Sequence, residues 1–197
     1  MPEHPRRSAG VPEIPAGLTY LPRFVPEEEQ DRLWQVFDGW SFGELRLRGQ
    51  AAKRTARHFG VFYDVEHRGL GPAPPIPHGL EPLRERAAQA VGLVPADLAE
   101  ALILRYPPGA GIGWHRDAPA FGAPVVGLSL GSACRLRFQR GVGDQRRVHV
   151  LELEPGSAYI LDGPARWSWQ HAIPATPGKR YSVTFRRLRH PEDHPGL

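Results

Sequence analysis

The feature that most constrains this chain is the rhythm of its C-terminal half. From Ala101 onward, short runs rich in branched and aromatic residues follow one another, separated by turn residues. Residues 101–106, 125–130, 134–139, 148–153, 157–161, 167–173 and 180–187 each read as a strand, and Leu102, Leu104 and Tyr106 share one face of the first. Gly141-Val142-Gly143-Asp144 and Pro177-Gly178 are typical of the turns between them. No helix-length pattern interrupts this half. Strands at such spacing predict packed antiparallel sheets, a sandwich or jelly roll. The 22 glycines and 22 prolines fit a fold with many turns.

The N-terminal half is mixed. Residues 1–17 are proline-rich with little periodicity and read as a loose arm ahead of one domain, 18–190. A short strand is expected at 19–24. Pro26 followed by Glu27, Glu28 and Glu29 suits a helix start, and Leu33, Trp34 and Phe37 then form an apolar stripe that ends near Asp38-Gly39. Residues 40–58 are basic, with Arg46, Arg48, Lys53, Arg54, Arg57 and His58 against Glu44. They read either as a solvated edge or as a flexible lid that meets a phosphate backbone. Residues 59–63 form a short aromatic strand, 69–79 a proline-rich loop, and 80–91 a second helix with Leu83, Ala87 and Ala90 on its buried face. The class is mainly β (α+β), with the N-terminal helices packed outside the strands.

Composition excludes some roles. The N-terminus has no apolar core of a signal peptide, and no stretch approaches the roughly 18 apolar residues of a membrane span. Cys134 is the one cysteine, so no intrachain disulfide forms and a reducing, cytoplasmic setting is expected for a monomer. The formal net charge is +4, and of 25 basic residues all but Lys53 and Lys179 are arginines. Planar guanidinium groups suit phosphate or carboxylate recognition.

The chemistry starts at Trp114-His115-Arg116-Asp117, just after the Pro107-Pro108-Gly109 turn. Residues two apart on an extended segment project to one side, so His115 and Asp117 present an imidazole and a carboxylate together. One further histidine would complete a two-histidine, one-carboxylate face for Fe(II). His171 and His149 both lie on strands downstream and compete for that place. His190-Pro191-Glu192 repeats the spacing near the C-terminus without such a setting. In the last strand Arg180, Ser182, Thr184 and Arg186 share one face and Tyr181, Val183 and Phe185 the other. That is either the polar face of an edge strand or a dicarboxylate site. The two arginine Cα atoms would stand about 20 Å apart, so both could serve one small molecule only by folding inward.

Together these motifs resemble the AlkB family of Fe(II)- and 2-oxoglutarate-dependent dioxygenases. The residues that carry the resemblance are Arg105-Tyr106-Pro107-Pro108-Gly109, His115-Arg116-Asp117, Gly127-Leu128-Ser129-Leu130-Gly131, Gly163-Pro164-Ala165-Arg166 leading to His171, and Arg180 with Arg186. The resemblance implies a double-stranded β-helix, Fe(II) held by His115, Asp117 and His171, and O2 and 2-oxoglutarate as co-substrates. It places Tyr106 and Arg180 on the far carboxylate, Arg186 by the carboxylate next to the keto group, and Ser182 beside them. Asparagines usual in the family stand here as Leu104 and Ser182. The implied reaction is oxidative dealkylation of an alkylated base in DNA or RNA, with a flipped base stacked on an aromatic ring. Phe62 and Tyr63 are the candidate rings, and Arg54 and Arg57 the candidate phosphate contacts. An acid usual in the repair enzymes two residues after the iron-binding aspartate is here Pro119, so the pocket is expected to discriminate weakly by charge and more by shape and stacking; a strong preference for cationic bases would point to Asp64 or Asp162 as the acid instead. The rivals are the same chemistry on a protein side chain or small molecule, which the basic 46–57 segment disfavours, and a non-catalytic β-sandwich, which iron titration would reveal.

Overall fold

The computed structural model describes residues 10–47, 50–64, 67–191 and 193. In chain order the N-terminal elements are β1 (Val11–Pro12), β2 (Leu18–Leu21), α1 (Glu27–Asp38), β3 (Gly43–Leu47), β4 (Gln50–Phe59), β5 (Val61–Asp64), β6 (Gly69–Pro72) and α2 (Glu81–Ala90). The rest are β7 (Glu100–Tyr106), β8 (Ile112–His115), β9 (Phe121–Gly131), β10 (Cys134–Arg140), β11 (Arg147–Leu153), β12 (Ala158–Leu161), α3 (Gly163–Trp167), β13 (Gln170–Ile173) and β14 (Arg180–Leu188). They form a seven-stranded sheet in the order β2-β12-β9-β14-β7-β4-β3 and a five-stranded sheet in the order β1-β11-β10-β13-β8. This is a double-stranded β-helix.

Strand alternation sorts the residues into layers. Val126, Leu128 and Leu130 of β9, Tyr181, Val183 and Phe185 of β14, and Ala101 and Ile103 of β7 pack in one cluster with Leu33 and Phe37 of α1 and Leu83, Ala87 and Ala88 of α2. The helices therefore cover the outer face of the large sheet. The opposite face meets the small sheet: Val125, Tyr159 and Leu161 cluster with Cys134, Leu136, Phe138, Leu153 and Ile173. Each large apolar side chain so buried contributes about 1.5–3 kcal/mol, which fixes the sheets in register over the interior.

Several expectations change. The arm is not loose from Gly10 on. Val11–Pro12 pairs in parallel with Arg147 and Val148, and Glu13 forms ion pairs with Arg140 and Arg147. Residues 1–9 lie outside the described residues. The strand expected at 19–24 ends at Leu21. The segment expected as a flexible lid is a hairpin: β3 pairs with β4, and β4 pairs with β7. Its polar residues on both faces hid the period of two. Arg48 and the Arg46 side chain lie outside what the structure describes. Part of the expected proline-rich loop, Gly69–Pro72, pairs with β5, and Gly60, at φ +78°, turns the chain from β4 into β5. Ala88 rather than Ala90 faces the core, because the chain turns at the helix end and Leu93 N donates to Ala88 O at 3.0 Å. The β half does contain a helix, α3, capped by Asp162, whose Oδ1 accepts from Gly163 N at 2.7 Å. Five residues are too few to show a 3.6 period.

Candidate active site

β14 lies between β9 and β7, in the middle of the large sheet, so its polar face is interior rather than an edge. Arg180, Ser182, Thr184 and Arg186 stand opposite Tyr106, Leu104, Leu102 and Glu100 on β7. On the other side they meet Gly131, Ser129, Gly127 and Val125 of β9. Arg180 is fully buried. Its Nη2 donates to Ser129 Oγ at 3.1 Å, and its guanidinium lies 4.7 Å from the Tyr106 ring centre. Nε and Nη1 have no partner among the described residues. A buried, unpaired donor costs about 1–3 kcal/mol, and more when charged. A carboxylate would satisfy both atoms in the two-pronged geometry that a guanidinium favours. Burial pushes the Tyr106 phenol up, against the pull of Arg180, so it remains a donor.

The small sheet supplies the imidazoles. β13 pairs with β8 so that His171 stands opposite His115, with ring centres 4.2 Å apart. His171 Nε2 is 3.9 Å from Asp117 Oδ2. Asp117 lies just beyond the end of β8. His115 Nδ1 sits 2.8 Å from Gly113 O; carrying the proton there, it donates to the carbonyl and leaves Nε2 as a lone pair. Burial lowers His115 and takes His171 to about 4, so both are neutral at pH 7. Burial alone would raise Asp117, but Arg186, His171 and Arg166 more than offset it and hold the carboxyl below the usual range. Two neutral imidazoles and a carboxylate are the donor set that suits Fe(II). Among the described residues no three such groups stand as a closed metal-ligand cluster. Here the Asp117 carboxylate is turned onto Arg186. His149 is aligned with Phe138, and Phe138 with His171, which puts His149 two strands, about 10 Å, from His171.

Further residues complete the surroundings. Glu100, fully buried, pairs with Arg186 at 2.8 Å and with His58 at 3.1 Å. Arg166 donates to the backbone oxygens of Asp117, Ala118 and Phe121 at 3.4, 2.9 and 2.7 Å, and so holds the loop that carries Asp117. Pro119 is exposed on that loop. Strand alternation marks Ser129 and Gly127 as interior. A glutamate at a strand start carries no such signal, and Arg166 is marked only by the motif Gly163-Pro164-Ala165-Arg166 that leads to His171.

The substrate candidates separate. Arg54 is buried and reaches Gly111 O at 3.4 Å, beside Tyr106 rather than at the surface. Arg57, one face over on β4, lies over Trp40 and Phe59 at 5.0 and 5.2 Å and donates to Ser41 O at 3.2 Å, on the helix side of the sheet. Phe62 meets His58 at 5.9 Å between ring centres, and Tyr63, its strand neighbour, faces the other way. Asp64 pairs with His67 and Asp162 caps α3, which places neither as a replacement acid. Trp114 with Arg137 at 5.4 Å, and Trp167 with Arg189 at 5.3 Å, stand on the stretches next to His115 and before His171.

The sequence profile of the 2OG-Fe(II) oxygenase superfamily matches residues 17–186. The alpha-ketoglutarate-dependent dioxygenase AlkB of Escherichia coli is 30% identical over 71% of this chain and 68% of its own length. The DNA oxidative demethylase ALKBH2 of Bos taurus is 33% identical over 78% of this chain and 56% of its own. The chain spans between about half and two thirds of the length of the curated relatives it first matches. Among solved structures, OsALKBH1 superposes with a TM-score of 0.69 at 20% identity, covering 89% of this chain and 98% of that one.

Proposed function

This chain belongs to the 2OG-Fe(II) oxygenase superfamily as an AlkB-like member, and from that premise we propose that it oxidatively dealkylates alkylated bases of DNA or RNA. The cofactors of that superfamily are Fe(II), 2-oxoglutarate and O2. The observation that carries the reading is that the small sheet sets His171 opposite His115 and close to Asp117, while the large sheet holds a buried Arg180 with two donors that have no partner among the described residues.

His115, Asp117 and His171 hold the iron through two imidazole nitrogens and a carboxylate oxygen. Once bound, Fe(II), 2-oxoglutarate and O2 supply the oxidation of a C–H bond on the alkyl group, with succinate, CO2 and an aldehyde as products. Arg180 pairs with the far carboxylate of 2-oxoglutarate, and Tyr106 donates to the same end. Ser182 lies beside them on the strand. Arg186 sits by the near carboxylate, and its pair with Glu100 fixes its direction. The apolar residues between the sheets exclude water from this end. Phe62 offers a ring face for the target base, and the Trp-Arg pairs at Trp114 and Trp167 offer stacking and charge to the strand.

The test is product mass. Methylated oligonucleotides incubated with the protein, Fe(II), 2-oxoglutarate and ascorbate should lose the methyl group as succinate forms. Arg54 is buried and Arg57 is engaged with Trp40, Phe59 and Ser41 O on the helix side, which favours a second reading, the same chemistry on a protein side chain or small molecule. Succinate formation with unchanged oligonucleotides in every case would select it.

A further inference from the structure

Tyr159 of β12 was not singled out by its sequence, yet its side chain crosses the interior face. It stands opposite Gly127 of β9, and Gly127 stands opposite Thr184 of β14. A Cβ on Gly127 would lie inside the Tyr159 ring, 2.5 Å from the hydroxyl oxygen. Glycine is therefore what lets the ring lie across β9 toward the Arg180–Arg186 row. The residue is 8% exposed, and its hydroxyl has no hydrogen-bond partner among the described residues. Burial and the nearby Asp117 charge hold the phenol protonated, so it is a donor, and Arg180 and Arg186 are also within electrostatic reach. By register Thr184, opposite Gly127, lies nearer to Arg186 than to Arg180, and Tyr106, Arg180 and Arg186 are all within electrostatic reach of the hydroxyl. The other inward groups on this stretch are small or apolar: Ser182, Thr184, Leu102 and Leu104.

We propose that Tyr159 is a co-substrate-positioning residue whose hydroxyl donates to the 2-oxoglutarate carboxylate beside the keto group. The inference rests on reading the Arg180–Arg186 face as the 2-oxoglutarate site. A protonated hydroxyl on this face, with both arginines in electrostatic reach, is placed to donate to a carboxylate bound between them. Gly127 and Tyr159 act as a pair: the missing side chain of one makes room for the ring of the other.

The test is calorimetric binding to the full chain loaded with Mn(II), without turnover. Tyr159→Phe should bind 2-oxoglutarate about tenfold more weakly than the wild type, the loss of one charge-assisted hydrogen bond. 4-Oxopentanoate, which keeps the ketone and the far carboxylate and lacks the near one, should bind both proteins equally. Should Tyr159→Phe not fold, Gly127→Ala, which drives a methyl group into the place of the ring, should show the same selective loss. Equal 2-oxoglutarate affinity in variant and wild type overturns the proposal, as does an equal loss for both ligands, which would mean the ring acts by packing alone. Arg180→Ala separates the two readings. If the wild type does not bind 2-oxoglutarate, or Arg180→Ala binds it as well as the wild type, the site assignment itself fails.

Discussion

Arg180 is a fully buried guanidinium with two donors, Nε and Nη1, that have no partner among the described residues. Arg180→Lys keeps the charge and loses the fork, so the KM for 2-oxoglutarate should rise about tenfold or more while Mn(II) affinity stays. An unchanged KM would mean that the co-substrate binds elsewhere. At His171, burial holds the imidazole at about 4, below the roughly 6.5 of the unfolded chain. Between those values the unfolded chain binds more protons. The stability of the metal-free protein should therefore be full above about pH 6.5 and fall as the pH drops toward 4. Denaturant midpoints from pH 7.5 down to 4.5 should show the decline, and His171→Gln should flatten it; parallel slopes in the two proteins would contradict the assignment. His115 and Asp117 stood out by their spacing and Arg180 by the polar face of its strand, whereas only the family resemblance chose His171 over His149. Tyr159 and Glu100 were not legible, because nothing in a local pattern says that a strand tyrosine crosses onto the next strand but one, and Arg166 was marked only as part of the family motif.

At the scale of elements, the main revision is the hairpin of β3 and β4. Read as a basic lid, it instead extends the large sheet, and alternation along β4 sends Arg54 inward and Arg57 to the helix side. The strands of the second half were legible because each buries at least one face and so shows its period. The hairpin was not, because arginines on either face pack by their stems and ring contacts, and a polar residue of that kind reads as solvated. The β5–β6 hairpin is the element that brings an aromatic ring beside His58, and through Glu100 beside Arg186. A Cβ on Gly71 would meet Phe62 Cε1 at 2.5 Å, so the ring is braced from behind by its own hairpin. Phe62→Ala should raise the KM for an alkylated oligonucleotide several-fold, in keeping with about 1–3 kcal/mol for a stacked base, and leave 2-oxoglutarate affinity alone. A loss confined to 2-oxoglutarate would move Phe62 from the substrate side to the interior.

Across the whole molecule, the helices and the outer face of the large sheet form one apolar body, and the chemistry lies on the opposite face. That division explains why the interior tolerates charged groups: Asp117, Arg186 and Glu100 offset one another, with His58 on the far side of Glu100, and among the described residues Arg180 keeps two buried donors without a partner. Among the described residues no helix is long and apolar enough to cross a membrane. The central claim is that this interior performs 2-oxoglutarate-dependent dealkylation of a nucleic-acid base with His171 as the third iron ligand. The most direct measurement follows succinate and oligonucleotide mass together. It uses matched single strands carrying 1-methyladenine, 3-methylcytosine or an etheno adduct, for the wild type, His171→Ala and His149→Ala. The account predicts that succinate appears in step with loss of the alkyl group for the wild type and His149→Ala, and that His171→Ala forms neither product. Full turnover by His171→Ala, or succinate with every oligonucleotide mass unchanged, would contradict it.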